Sequence, residues 1–314
     1  SVSSEGSSRF SAFGSGTSSN AFHVDGIDTT AADTGSSWWW INPDQIEEIQ
    51  VMGIGTPAEY GQMMGAAFNV VTKSGTNALG GALRYYGQFD SLTWPSYSLP
   101  DSSNPEFKRD HFRHFTGALG GPFKRDKVWF FANVESTSEA YSQAGAPPEL
   151  AEPFKTERYD LKVSISLNDS NTLDLKGHYE DYDFNFSESV VDEFTDPSAL
   201  GHEFGTNPAW GLNYNSVLTS NTFFEVQYAG WTGDDFWHSR TGSTEPPYGD
   251  YTVEPNVFTG GLLWPYDYFL DRDQVDVKLS HFADDFIKGD HDLKFGVSYT
   301  KSFAKTLVQY GAGG

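Results

Sequence analysis

Four short stretches bring together residue types that can do chemistry. Gly53 to Ala58, "GIGTPA", fits the G-x-G-x-x-G/A pattern, in which glycines let backbone approach a pyrophosphate at a helix N-terminus. Only a short helix has room to follow it, and no parallel strand with an acidic residue comes after, so the stretch reads as turns and close packing. His111 and His114 in "HFRH" are three apart, which on a strand puts them on opposite faces and argues against a shared metal. Asp25, Asp28 and Asp33 in "DGIDTTAAD" lack the spacing and closing Glu of a calcium loop and read as a turn. Asp234-Asp235 and Asp284-Asp285 leave a loop-bound calcium open. No G-x-S-x-G, H-E-x-x-H or Ser/His/Asp grouping occurs. The expectation is no catalytic residue, no dedicated metal site, no cofactor and no enzyme.

Aromatic residues are the stronger signal. Trp38, Trp39 and Trp40 stand side by side in a Ser/Gly-rich segment, more indole than one small domain can bury alone. Flat aromatic faces suit sugar rings, peptide side chains or aromatic ligands. They suit equally a wedge between two packed bodies, and both readings stand. A second cluster lies in the stretch 239–272, with Tyr248, Tyr251, Phe258, Trp264, Tyr266, Tyr268 and Phe269. Loops so furnished either close over a ligand or pack on one another.

The elements that must position these residues are strands. "YDLKVSISL" sets Tyr159, Leu161, Val163, Ile165 and Leu167 on one face and Asp160, Lys162, Ser164 and Ser166 on the other. "FFEVQY", "QVDVKLS" and "LKFGVSY" repeat the period of two, which predicts sheets with one apolar and one polar face. Nine candidate strands fall near 79–90, 111–123, 127–139, 156–168, 172–186, 208–219, 222–238, 273–284 and 290–310. Short turns near Lys124, Ser170, Ser220 and Ile287 alternate with long polar-aromatic connections at 91–110, 140–155, 187–207 and 239–272. That alternation, with strands beyond the ~9–11 residues that cross a bilayer, is the pattern of an outer-membrane barrel. Tyr85, Tyr86, Trp129 to Phe131, Tyr182 to Phe186, Trp231 and Trp237 fall where interfacial girdles are expected.

Residues 1–78 differ in texture. "AFHVDGID" (Ala21 to Asp28) reads as a short strand entering an Asp-Gly turn. Asn42 as cap and Pro43 at the first helical position predict one helical turn before a strand from Ile46 to Met52. Thr56, Pro57 and Glu59 predict a capped short helix ended by Gly65, and "AAFNVVTK" a strand.

Composition agrees. Among 314 residues, aromatics reach 16% and there are 32 Gly, while hydrophobic residues stop at 38%, which suits many strands and turns. A formal charge of −23 argues against nucleic acid. There is no cysteine, hence no disulfide. No run of about 18 apolar residues predicts a spanning helix, a test blind to barrels. "SVSSEGSSRF" is not a signal peptide, so either the protein is not exported or its true N-terminus lies further upstream. Nine strands are odd in number where single-chain barrels use even counts, and "YGAGG" falls inside an expected loop, so a portion of a larger barrel is expected.

The stretches "DGID", "IEEIQV" and "AEYGQMMGAAFNVVTKSGTNALGGALRYY" resemble the end of the plug domain of TonB-dependent outer-membrane receptors. "FTGALGGPFKRDKVWFFANVE" and "HDLKFGVSY" resemble barrel hairpins of the Oar-like branch. On the plug motifs fall Asp25, Gly26, Ile46 to Val51 with Glu47 and Glu48, Tyr60, Gly61, Gly65, and Asn69 to Lys73 with Thr72. The resemblance implies a mainly β protein: an incomplete transmembrane antiparallel barrel over 79–314, and part of a small α+β plug over 1–78. It implies the bacterial cell outer membrane, contact with lipid, and uptake energised by the TonB–ExbB–ExbD complex acting through a segment upstream of Ser1. By the same resemblance, Trp38, Trp39 and Trp40 face the ligand vestibule; Tyr248, Tyr251, Trp264, Tyr266 and Tyr268 of the long loop stand as a second candidate ligand surface on their aromatic content. The ligand class stays open, with peptides or glycans favoured because basic residues for anionic siderophores are scarce. An outer-membrane barrel for adhesion, secretion or surface assembly, and a soluble carbohydrate-binding β-sandwich, are the alternatives.

Overall fold

The computed structural model describes residues 12, 14–16, 18–53, 55–57, 59–61, 63–92, 109–141, 151–186, 195–253, 256–284 and 288–308. Four short strands make a small sheet: β1 (Ala21–Val24), β2 (Ile27–Asp28), β3 (Ile46–Met52) and β4 (Ala67–Thr72), in the order β2-β1-β4-β3. β1 and β4 run parallel and the other pairs antiparallel. The Asp-Gly turn falls between β1 and β2, with Asp25 at φ 50 and Gly26 at φ 82. Glycine takes that conformation without strain; Asp25 is held in it by bonds described below. Asn42 caps a 3₁₀ turn (Pro43–Gln45) by accepting from the Asp44 N–H at 2.8 Å, as its sequence predicts.

The helix expected from Thr56 is not found among the described residues. Tyr60 N–H closes a turn onto the Pro57 carbonyl instead, and the Thr56 hydroxyl donates backward to the Gly53 carbonyl. Glu59, needed to complete the cap, is drawn away by two lysines of the neighbouring sheet.

The large sheet holds β5 (Gly80–Phe89), β6 (Arg109–Lys124), β7 (Val128–Tyr141), β8 (Glu152–Asn168), β9 (Asn171–Phe186), β10 (Gly201–Thr206), β11 (Ala209–Thr219) and β12 (Thr222–Ser239). After a hairpin of its own, β13 (Tyr248–Asp250) with β14 (Val257–Thr259), come β15 (Tyr266–Ala283) and β16 (His291–Val308). Each long strand pairs antiparallel with its sequence neighbours. β10 and β11 share one lane between β9 and β12, interrupted at Asn207-Pro208, where proline has no N–H to give the ladder. Among the described residues the sheet therefore has nine lanes, as the periodicity predicts. The expected 187–207 connection is shortened by β10, and the 239–272 connection by the start of β15 at Tyr266. Most of the expected connections 91–110 and 140–155 lies outside the described residues.

Register lines the outward residues into rows. Phe130, Val163, Leu175, Leu212, Tyr228, Val275 and Tyr299 are matched strand by strand from β7 to β16. Leu161, Leu175, Tyr179, Leu212, Tyr228, Val275 and Val277 all stay substantially exposed. On the opposite face Thr116, Asn133, Glu135, His178, Glu180, Gln227 and Gln274 are buried. This is an inverted protein, apolar outside and polar inside, which is the solvation a bilayer demands. A soluble sandwich would bury those apolar faces, so that alternative fails.

The same parity corrects the expected girdle. Tyr85, Tyr159, Tyr179, Trp210, Tyr228 and Tyr299 are the outward, exposed aromatics. Tyr86, Trp129, Tyr182, Phe184, Trp231 and Trp237 share rows with inward residues such as His114, Ser164, Thr156 and Tyr266.

The core lies between the two sheets. Val24, Ile27, Ala31 and Trp39 pack with Ala209, Ala229, Trp231, Tyr268 and Leu270 of the large sheet. Ile27 is fully buried, and its side chain fits over Gly211, where an added Cβ would come within 2.8 Å of Ile27 Cδ1. Contacts described next reach β5, β6, β8, β9, β12, β15 and β16, so the polar face of the large sheet curls around the small one.

Candidate functional site: the seam between the two sheets

Carboxylates of the small sheet and its connections meet cations of the wall, beginning with the buried Asp25. It lies 3.5 Å from Lys162 Nζ and 3.4 Å from Lys176 Nζ, all three side chains largely buried. Thr72 donates its N–H (2.9 Å) and its hydroxyl (2.5 Å) to the same carboxylate. The Asp25 carbonyl accepts from Lys176 Nζ at 3.3 Å and Gln227 Nε2 at 3.0 Å. Gly26 N–H reaches Asn69 Oδ1 at 3.3 Å, and the Gly26 carbonyl accepts from Gln274 Nε2 at 3.3 Å. Thus the tip of the Asp-Gly turn is tied to β8, β9, β12 and β15 at once.

Three further ties repeat the sign. Asp28 pairs with Arg272, donates its N–H to Gln274 at 2.9 Å and accepts at its carbonyl from Trp231 Nε1 at 2.9 Å. Asp44 pairs with Arg84 and accepts from Thr116 Oγ1 at 2.6 Å. Glu59 pairs with Lys278 at 2.9 Å and with Lys294. In each of these ties the acid belongs to the small sheet's side and the base to the wall.

Electrostatics at the seam follow from burial against charge. Burial alone would raise the Asp25 carboxyl, but Lys176, Lys162 and the Thr72 bonds outweigh it and hold it below the usual range. Glu59 is likewise held low by its lysines against burial. Burial holds the His23 imidazole below its ordinary value, hence neutral, with Asp28 opposing and Arg272 reinforcing. A lowered carboxyl pKa stabilises the folded state above the unfolded value near ~3.9 and loses that contribution as pH falls through the folded value. The Tm difference between the intact protein and its Asp25→Asn variant should therefore hold constant down to about pH 4 and shrink below it.

The motif residues occupy the small sheet in different ways. Lys73 Nζ donates to the Asp44 carbonyl at 2.7 Å, and Tyr60 stands edge-on to His23 at 5.2 Å. Gly65 is packed so closely that an added Cβ would meet Asn20 Oδ1 at 2.3 Å. Glu47 and Glu48 lie exposed on β3, and Gly61 is exposed.

The tryptophans part company. Trp39 is buried, its ring 4.8 Å from His178, which is hydrogen-bonded through Nδ1 to Asp160 at 2.7 Å. Trp38 lies 5.5 Å from the Tyr268 ring and sits over Gly233, where an added Cβ would fall 2.8 Å from Trp38 Cε3. Trp40 is half-buried. A Gly233→Ala change should lower the Tm of the intact protein, at a cost of about 1–3 kcal/mol of overpacking, and Trp38→Ala in the same chain should relieve it. No effect of Gly233→Ala would mean that Trp38 does not rest there.

The loop aromatics divide similarly. Tyr266 and Tyr268 belong to the wall: Tyr268 is buried and its hydroxyl donates to Asp33, while the Tyr266 hydroxyl donates to Asp235 at 3.3 Å. Tyr248, Tyr251 and Trp264 stay largely exposed in the connection above, with Tyr251 edge-on to Phe258 at 5.8 Å. That hairpin is tied down by an Asp196 N–H bond to the Phe258 carbonyl at 2.8 Å. Two inward rows of the wall carry no local sequence signal: Glu135, Arg158 and Glu180, with Arg158 bridging both carboxylates, and Asn133, Asp160 and His178. Among the described residues no group of three His, Cys, Asp or Glu side chains could hold a metal. Asp284 follows the end of β15, and Asp285 lies outside the described residues.

Comparison with known proteins gives the same architecture. Residues 71–150 match the family model described as an outer membrane beta barrel domain. Over 131 residues, 41% of this chain and 12% of the relative, the sequence is 24% identical to the TonB-dependent transporter Oar of Myxococcus xanthus. The outer membrane transporter YddB of Escherichia coli superposes with a TM-score of 0.70 at 16% identity, covering 94% of this chain and 42% of YddB. The pyoverdine outer membrane receptor FpvA of Pseudomonas aeruginosa gives 0.63 at 16% identity, covering 91% and 40%. The siderophore receptor PirA of Acinetobacter baumannii gives 0.61 at 15%, covering 92% and 41%. The chain thus spans about an eighth of its curated relative and two-fifths of these solved structures.

Proposed function

On the premise that this chain is of the TonB-dependent outer-membrane receptor kind, Oar-like in sequence and resident in the bacterial outer membrane, we propose that it serves ligand uptake. Residues 1–78 act as part of a plug and 79–314 as part of the barrel that surrounds it. Ligand binds at the extracellular mouth, and the TonB–ExbB–ExbD complex then draws on the plug from the periplasm. The observation that carries this reading is the seam. A lumen closed by a separate sheet, held through discrete ion pairs and not fused into the wall, can be opened by force and reseated. Relatives named as transporters and receptors support the same reading.

The side with short turns faces the periplasm and the side with long connections faces outward, as in other outer-membrane barrels. On that orientation Trp38, Tyr266 and Tyr268 border the vestibule from below, while Tyr248, Tyr251 and Trp264 overhang it. Trp39 and Trp38 also wedge the plug against the wall. A labelled peptide pool offered to cells should accumulate only with an intact proton gradient and only where the protein is present. Surface binding that an uncoupler leaves unchanged, with no accumulation, would favour adhesion, secretion or assembly instead.

A further inference from the structure

His23 is a titratable group of the seam that takes no part in its ties. It lies on β1, with register partners Asp28 on β2 and Asn69 on β4, and is 9% exposed. Both ring nitrogens are shut off from solvent without a hydrogen-bond partner, and the Tyr60 ring stands edge-on to it at 5.2 Å. In water an imidazole makes hydrogen bonds at both nitrogens; here it has given up both.

Charged groups surround the ring. Asp28 belongs to the small sheet, while Arg272, Asp276 and Lys278 come from β15 of the wall. Glu59, next to Tyr60, is held by Lys278 and Lys294. The others are already paired too: Asp28 with Arg272, Asp276 with Gln274, and Lys278 with Glu59. An imidazolium in this place would carry two N–H groups with no acceptor, beside two cations. The two acids and two bases oppose one another, so burial decides, and it holds the ring neutral.

We infer that His23 is a proton-sensitive latch, docked only as the neutral ring and protonated from solvent when the small sheet leaves the wall, so that mild acid eases release of the plug. The inference rests on the transporter reading and gives its regulation. Away from the wall the imidazole meets water and titrates near its ordinary ~6.5. Above that pH the docked and released forms are both neutral, and protons do not bear on the equilibrium. Below it the released form binds a proton that the docked form refuses. The balance then moves toward release by up to ~10-fold per pH unit, until the docked ring is itself protonated. Asp25 and Glu59 are held low, so the seam's carboxylates change charge at lower pH than this.

Two measurements on the intact detergent-extracted protein test the latch. In the unaltered chain the first heat-induced transition should hold steady from about pH 8 to 7 and fall from about pH 6.5 to 5. Proteinase K cleavage within residues 20–75 is then compared between the unaltered chain and His23→Gln at each pH, a ratio from which the protease's own pH dependence cancels. The ratio should be flat above about pH 7 and rise by up to ~10-fold per unit below about 6.5. His23→Phe, a neutral ring, should behave as His23→Gln does. His178→Gln, which alters a histidine of the wall buried against Trp39, should keep the rise of the unaltered chain. A transition that stays level to about pH 5, a flat ratio, or a rise abolished by His178→Gln and not by His23→Gln would each overturn the latch. Energised uptake in cells together with a flat ratio would overturn the latch and leave the transporter reading standing. A rising ratio without energised uptake would keep the latch and remove the transporter reading.

Discussion

Replacing Asp25 with Ala in the intact protein is expected to lose about 3–5 kcal/mol of the attachment between small sheet and wall, the cost of stranding a buried charge without its partner. Two ammonium groups, Lys162 and Lys176, share that carboxylate inside the seam, and both side chains are largely buried. Removing the carboxylate leaves Lys162 with the Thr72 carbonyl and hydroxyl, and Lys176 with the carbonyl of residue 25, as neutral acceptors in place of a charge. The turn also loses the two Thr72 bonds that hold its left-handed backbone. The readout is the first heat-induced transition of the purified protein, with protease sensitivity of residues 20–75 as the local probe. Because a buried ion pair is not itself a strong stabiliser, the triple change Asp25→Asn, Lys162→Met and Lys176→Met, in which asparagine tolerates the left-handed turn and can still accept from the Thr72 N–H, should recover much of the loss. A single Asp25→Ala change without effect would mean the seam is not formed as described.

The second large effect concerns the outer face. Val226→Arg is expected to destabilise the barrel by about 2–4 kcal/mol, the cost of an arginine on the lipid side near the bilayer midplane. Val226 lies in an outward row with Tyr214 and Val277. The neighbouring Gln227 faces inward and donates to the Asp25 carbonyl, so Gln227 substitutions act through the seam. Asn213→Arg, one row from Val226 and paired with Asp174 on the inner face, should cost far less, since the Asp174 carboxylate opposite it can pair with the guanidinium. Refolding into lipid vesicles and chemical unfolding compare the two. Equal costs, or a larger one for Asn213→Arg, would reverse the assignment of faces.

What the sequence makes legible here is whatever depends on parity. A period of two determines which residues of "YDLKVSISL" lie together, and Tyr159, Leu161 and Leu167 are indeed exposed together while Asp160 and Lys162 turn inward. Parity does not say which face is wet, and an aromatic girdle chosen by position along the strands mixes lumen residues with lipid-facing ones. The seam is illegible for a different reason. Asp25 and Lys176 are 151 residues apart, and their meeting depends on how two sheets dock, which no local pattern encodes. The same docking claims Glu59 for Lys278 and Lys294 and so dissolves a helix cap that is sound on local grounds.

Energised uptake requires the small sheet to be a body that leaves the wall under load. These 314 residues hold no cysteine, so an introduced one is the sole thiol among them. Ala229 is fully buried beneath the small sheet, with Ile27 and Gly211 beside it. In whole cells, a cysteine introduced by Ala229→Cys should react with a membrane-impermeant maleimide while the proton gradient is intact and be protected once an uncoupler collapses it. Reaction at the same rate with and without the gradient would contradict an energised plug, whatever the ligand proves to be.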